Sequence, residues 1–227
     1  MIIEKPKFYS NHRGRVKSLD CYENNLDLNK YNKDEENLLD IGFGNGESIK
    51  YFCQKTEKNI FAIDSYSIGI KKIKDYIDKN KIPNVHIFKG DAVEILEFFP
   101  DRFFNKINIF FPDPWPKKKH HKRRIINEYF LNLLKEKTKE KNIIHISTDH
   151  INYGLYIKTQ IEKNFKIELK FSPNRGARPI TKFEEKPINQ AFVLSFVVPV
   201  FPATTRPESA MRLPVPLLIT PSNIETI

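Results

Sequence analysis

The chain has only two cysteines, Cys21 and Cys53, and neither stands in a Cys-x-x-Cys pair or at a cysteine/histidine metal spacing. Neither a disulfide framework nor a zinc site is therefore expected, and no metal of any kind is called for. No run approaches the eighteen apolar residues of a membrane span, and Met1-Ile2-Ile3-Glu4-Lys5-Pro6 lacks the apolar core of a secretion signal. The chain reads as cytoplasmic. No internal repeat is found, which sets solenoids and propellers aside. Tryptophan occurs once, at Trp115.

What is present is a chain of 227 residues with 40% hydrophobic content, enough for the core of one domain. The net charge is +10, and the stretch Lys117 to Arg124 alone supplies six positive charges. A concentrated excess of that kind points to a polyanion, because neutralising phosphates releases condensed counterions. Nucleic acid is the first candidate partner.

Residues 1–36 are polar and short of apolar periodicity, so they read as a flexible N-terminal arm, with Arg13-Gly14-Arg15 as a possible phosphate contact. From Asn37 short apolar runs alternate with helical segments, as βαβ units require. Strands are expected at Leu38 to Ile41, Ile60 to Ile63, Val85 to Lys89, Ile107 to Phe111, Ile143 to Ser147, Phe165 to Leu169 and Phe192 to Val198. Helices are expected at Glu47 to Lys55, Ser67 to Asn80, Ala92 to Phe99, Asn127 to Lys139 and Tyr153 to Lys163. Ile68, Ile70, Ile73 and Ile77 form an apolar stripe for core packing. The fold class is α/β: a seven-stranded, mostly parallel sheet with helices on both faces over residues 37–198. Residues 199–227 hold six prolines and little pattern, and read as a disordered tail.

Two segments carry chemistry. Leu38-Leu39-Asp40-Ile41-Gly42-Phe43-Gly44-Asn45-Gly46-Glu47 is a strand entering a glycine turn and then a helix, where the backbone can approach a ligand without Cβ obstruction. The spacing is GxGxG and not GxGxxG, and Glu47 at the helix start disfavours pyrophosphate. Asp64 ends the second strand, placed to accept ribose hydroxyls or to cap a turn. Asp91 follows the third, to read an adenine amino group or to cap the next helix. Asp40 either orients the loop or contacts a ligand ammonium. A glycine turn with an acid after each strand suits S-adenosylmethionine better than NAD.

The second segment is Phe111-Pro112-Asp113-Pro114-Trp115-Pro116-Lys117-Lys118-Lys119-His120-His121-Lys122-Arg123-Arg124. Ile107 to Phe111 is apolar enough for a buried strand, so Asp113 emerges at the carboxyl edge of the sheet, where ligands of open α/β sheets bind. An acid and the single tryptophan, fixed by prolines, make a site for a base. The cations after them make a grip for phosphates.

Together with Ser147-Thr148-Asp149 and Arg178-Pro179-Ile180-Thr181-Lys182-Phe183-Glu184, these segments resemble the bacterial tRNA (guanine-N7-)-methyltransferase family, from about Arg13 to about Glu184. The resemblance implies a Rossmann-like class I methyltransferase fold, S-adenosylmethionine as methyl donor, and N7 of the variable-loop guanine (guanine 46) of tRNA as acceptor. It implies that Asp40, Gly42, Gly44, Gly46, Asp64, Asp91 and Asp113 serve the cofactor, with Asp113 the catalytic or guanine-holding acid. Substrate contacts would be Lys117, Asp149, Thr181, Lys182, Phe183 and Glu184. Lys119, His120, His121, Lys122, Arg123 and Arg124 would lie on RNA phosphates. Asp40 and Asp64 stand where the family commonly has Glu, and the chain departs from the family pattern after Glu184, where Glu185-Lys186-Pro187 intervenes.

Guanine N7 carries an in-plane lone pair, so its methylation needs placement and water exclusion instead of a general base. Asp113 suits the role of a positioning acid, accepting from guanine N1 and N2, and Trp115 either stacks on a base or packs. Two other readings stay open at the level of sequence: an exocyclic-amine methyltransferase, from the likeness of Asp113-Pro114-Trp115 to an Asp-Pro-Pro-aromatic signature, and an inactive RNA-binding relative. Monomer and homodimer are equally compatible with the sequence.

Overall fold

A computed structural model of the chain describes residues 5–6, 20–21, 31, 35–167 and 194–200. Arg13-Gly14-Arg15, Arg175, Arg178, the Thr181 to Glu184 segment and residues 201–227 lie outside them. The strands are β1 (Asp20–Cys21), β2 (Asn37–Ile41), β3 (Asn59–Asp64), β4 (Val85–Lys89), β5 (Phe104–Phe110), β6 (Thr138–Thr148) and β7 (Leu194–Pro199). They form one sheet in the order β1-β4-β3-β2-β5-β6-β7. β2 to β6 are parallel, while β1 and β7 add antiparallel edges. This is the mostly parallel α/β sheet expected.

One expected strand is corrected. Phe165 is the last residue of helix α5 (Ile151–Phe165), which Lys166 ends in the left-handed conformation at φ 54, and residues 168–169 lie outside the described set. Phe165 packs on the main core from that helix. A short apolar run does not by itself distinguish strand from helix end. The seventh strand comes from Asp20–Cys21, which pairs with Lys89 and Phe88 at the opposite edge.

Alternation along the parallel strands fills two layers. Leu39, Ile41, Ile107 and Ile109 face the side covered by α3 (Ala92–Glu97), α4 (Glu128–Lys137) and α5. Leu38, Ile60, Ala62 and Ile87 face α1 (Glu47–Cys53) and α2 (Ser67–Asn80). Burial on both faces is why these strands read as continuous apolar runs. In α2, Ile70 and Ile73 are fully buried and Ile77 partly so, but Ile68 is 57% exposed. It sits two residues from Ile70, about 200° around the helix, on the opposite side.

The topology places the site. From β2 the chain winds outward through α1, β3, α2 and β4, then returns through α3 to β5 on the other side of β2. Such a reversal leaves a crevice at the carboxyl ends of the two strands. Ile41 pairs with Ile109, so the loops after β2 and β5 begin side by side. Among the described residues, no helix is long and apolar enough to cross a membrane, and no group of three or more His, Cys, Asp or Glu could hold a metal ion.

Candidate active site

The loop after β2 is closed below and open above. Gly46, the N-cap of α1, has φ 86, and a Cβ there would fall 1.9 Å from Ile73 of α2. From the other side, Gly69 of α2 lies so close that its Cβ would stand 1.8 Å from the carbonyl oxygen of Gly44. The loop is thus pressed onto α2 through two missing side chains. Gly42 and Gly44 also have positive φ, yet a Cβ on either would meet nothing within 4 Å. The unobstructed side is the one a ligand can approach.

The three strand-end acids have distinct surroundings. Asp64 accepts the Gly44 N–H at 2.6 Å through one carboxylate oxygen and the Tyr66 N–H at 2.8 Å through the other, so it ties the glycine loop to the start of α2. Asp91 caps α3, accepting the Val93 N–H at 2.9 Å, and burial raises its pKa against that hydrogen bond. Asp40 is only 1% exposed and accepts from the Ser48 hydroxyl of α1. Burial pushes its pKa up to about 7, the Ser48 hydrogen bond opposing, with Asp64 adding to the rise and Lys106 countering it. Of the two roles open to Asp40 in the sequence, its hydrogen bond supports orientation of the loop and helix.

The loop after β5 carries strain at both ends. Phe111 has φ 54 and Trp115 φ 43, left-handed conformations that bulky side chains rarely adopt and that cost roughly 1–3 kcal/mol each. Such strain persists only where the surroundings over-determine it, and here they do. The Phe111 N–H donates to the Ser147 carbonyl on β6 at 2.8 Å. Trp115 has the Arg123 guanidinium 4.9 Å from its ring centre and the His120 ring edge-on at 5.9 Å. Arg124 donates from Nε to the Pro114 carbonyl at 2.9 Å. Between these anchors Asp113 is exposed, at the mouth of the crevice.

Asp149 follows the last residue of the neighbouring strand β6 and is half-buried. His150 beside it caps α5, its Nδ1 accepting the Tyr153 N–H at 3.3 Å. Lys117 is exposed and leads into a 3-10 helix over Lys118–Arg123. Lys118, Lys119, His121 and Lys122 are exposed along it, which suits phosphate contact. Partial burial and the cations Arg123, Lys119, Lys117 and Lys122 hold His120 below its ordinary pKa. Arg124 departs from the expected phosphate grip: it is 4% exposed, its guanidinium 4.8 Å from the Tyr153 ring centre and 5.0 Å from that of Tyr156.

Sequence reasoning missed Gly69, whose role depends on a loop twenty-five residues earlier, and a row of polar residues across the sheet. Asp40 on β2, Asn108 on β5 and His145 on β6 are in register, with 1%, 0% and 1% exposure. Lys106 lies two residues before Asn108, and burial lowers its pKa while Asp40 opposes the fall. Polar letters inside apolar runs were the available signal.

A family model described as "Putative methyltransferase" matches residues 34–193, which include both loops. A tRNA (guanine-N(7)-)-methyltransferase of Buchnera aphidicola subsp. Acyrthosiphon pisum (strain 5A) is 39% identical over 160 residues, 67% of each chain. The chain belongs to the tRNA (guanine-N7-)-methyltransferase family. Relatives of the same name in Corynebacterium jeikeium (strain K411) and Nitrosococcus oceani are 34% identical over 174 residues and 36% identical over 159. Those alignments span 72% and 69% of this chain, and 68% and 67% of the relatives. As a member of the tRNA (guanine-N7-)-methyltransferase family, the chain has its strained Pro-Asp-Pro-Trp loop and its glycine loop at one sheet edge.

Proposed function

We propose that the chain transfers the methyl group of S-adenosylmethionine to N7 of a guanine in tRNA, the variable-loop guanine 46, in the cytoplasm. One observation carries this reading: a glycine loop with a free upper side and an acid held between prolines leave adjacent strands, β2 and β5, at the same edge. The residues fit the donor. Gly42 and Gly44 leave room for a ligand, Asp64 and Asp91 offer carboxylates at successive strand ends, and Asp40 supports the loop from beneath. When bound, S-adenosylmethionine supplies an electrophilic methyl on a sulfonium.

The protein's share of the chemistry is placement. Guanine N7 already presents a lone pair, so no residue has to remove a proton. Asp113 accepts hydrogen bonds from guanine N1–H and N2–H, which turns N7 away from the acid and toward the glycine loop. Charge-assisted hydrogen bonds of this type are short and directional. Holding the base in an attack geometry can lower the barrier by several kcal/mol. Lys117 follows Asp113 by four residues and Asp149 follows the neighbouring strand β6, so both are within the substrate's reach in this reading, and the exposed Lys118, Lys119, His121 and Lys122 bind the tRNA backbone.

The position is tested with two transcripts of one tRNA, carrying guanine or adenine at position 46, and methyl-labelled S-adenosylmethionine. Label in the guanine transcript alone supports the assignment. Equal labelling of both overturns it.

A further inference from the structure

Arg123 and Arg124 are neighbours in sequence and part of one basic run, yet they meet different residues of the loop. Arg123 lies over Trp115, at the loop's end. Arg124 is turned inward. Its Nε–H reaches the Pro114 carbonyl, and its guanidinium lies over two tyrosines of α5, Tyr153 and Tyr156, whose rings are stacked 6.1 Å apart. Tyr153 is fully buried and belongs to the main core, so Arg124 links a strained loop to that core. Pro114, whose carbonyl Arg124 holds, directly follows Asp113, which places the clamp beside the acid it would steady.

We infer that Arg124 is a positioning residue: by fixing the Pro114 carbonyl against α5 it sets the path of the Pro112–Pro116 loop and so the aim of Asp113. This rests on Asp113 as the base-holding acid. The basic run is thereby divided into a grip, the exposed lysines, and a clamp, whose arginine carries charge for stacking and directional bonding and not for phosphate. The planar guanidinium is essential to that role, because a lysine ammonium cannot both cover two rings and keep a fixed fork of donors.

The test is Arg124→Lys in the full chain, which keeps the charge and removes the plane. Affinity for tRNA is expected to stay within about twofold of the parent, with an unchanged salt dependence of binding. The kcat at saturating tRNA is expected to fall roughly 10- to 100-fold, the loss associated with a charged hydrogen bond that orients a reacting group. Trp115 is the only tryptophan and lies in the loop, so its emission reports the clamp directly. A red shift and greater acrylamide quenching in Arg124→Lys, absent in Lys118→Ala, support the clamp even if the methylated atom proved not to be N7. Weaker tRNA binding with a smaller salt slope, normal kcat and unmoved emission would overturn it and return Arg124 to the phosphate grip.

If Arg124→Lys fails to fold, half-buried Tyr156 gives a second test. Tyr156→Phe keeps a ring and is expected to match the parent in kcat and emission, while Tyr156→Leu shifts both in the direction of Arg124→Lys. Equal behaviour of the Phe and Leu variants would overturn the inference.

Discussion

The carboxylate of Asp64 accepts the backbone N–H of Gly44 at 2.6 Å, joining the end of β3 to the middle of the loop that follows β2. The same carboxylate accepts a second hydrogen bond, from the Tyr66 N–H, which fixes where α2 begins. The acid we propose for the ligand's ribose therefore also shapes the loop, so that binding and loop geometry would share one residue. Asp64→Ala is expected to weaken S-adenosylmethionine binding about 10- to 100-fold, the scale of one lost hydrogen bond to a charged group. Titration calorimetry with the donor measures this, and an unchanged affinity counts against the assignment.

Gly69 makes no claim on a ligand, yet any side chain there would strike the Gly44 carbonyl. Gly69→Ala is expected to lower stability by about 1–3 kcal/mol through overpacking and to weaken donor binding by displacing the loop. Thermal unfolding and calorimetry check the two effects separately. Parent-like values in both would show that the loop and α2 are not in the contact described.

Asp40 gives a pH signature. Its native pKa is pushed up to about 7, mainly by burial, whereas in the unfolded chain it lies in the ordinary carboxylate range. The native state therefore holds a proton that the unfolded state has lost between those limits. The stabilisation is fully present below the unfolded pKa and is lost as pH rises through about 7, with a slope approaching about 1.4 kcal/mol per pH unit inside the window. Asp40→Asn is expected to remove that slope. Urea unfolding at pH 5, 6, 7 and 8 reads it, and parallel curves for parent and variant would refute the burial argument.

The exposed lysines are expected to act by charge alone. Each single substitution Lys118→Ala, Lys119→Ala or Lys122→Ala should reduce the slope of log K against log salt for tRNA by about one and leave kcat at saturating tRNA unchanged. Filter binding across a salt series measures the slope. A fall in kcat with an intact slope would place that lysine in the aiming of the base.

Much of the architecture was legible because it follows from local periodicity. Ser67–Asn80 and Val85–Lys89 are found where their patterns placed them, and Asp91 caps α3 as its position before an apolar run suggested. The candidate site was legible as two loops, because glycine spacing and a proline-held acid are local signals. Less so was whatever depends on pairing across distance. β6 begins at Thr138, earlier than its apolar core Ile143 to Ser147, because Lys139 bonds Asn105 and the Glu35 carbonyl while Thr138 pairs with Phe104. Arg124 read as one more cation because nothing in a run of like charges says which member turns toward Tyr153 and Tyr156. Gly69 carried no signal of its own in the sequence, because its role exists only once α2 is set against the Gly44 carbonyl.

Guanine N7 as the acceptor and Asp113 as the acid that holds the base stand or fall together. The most direct test is nucleoside mass spectrometry of unmodified tRNA incubated with the protein and S-adenosylmethionine, beside the same reaction with Asp113→Ala. 7-Methylguanosine is expected with the parent chain, and its loss in the variant. N2-methylguanosine as the product, or 7-methylguanosine formed equally well by Asp113→Ala, would contradict it.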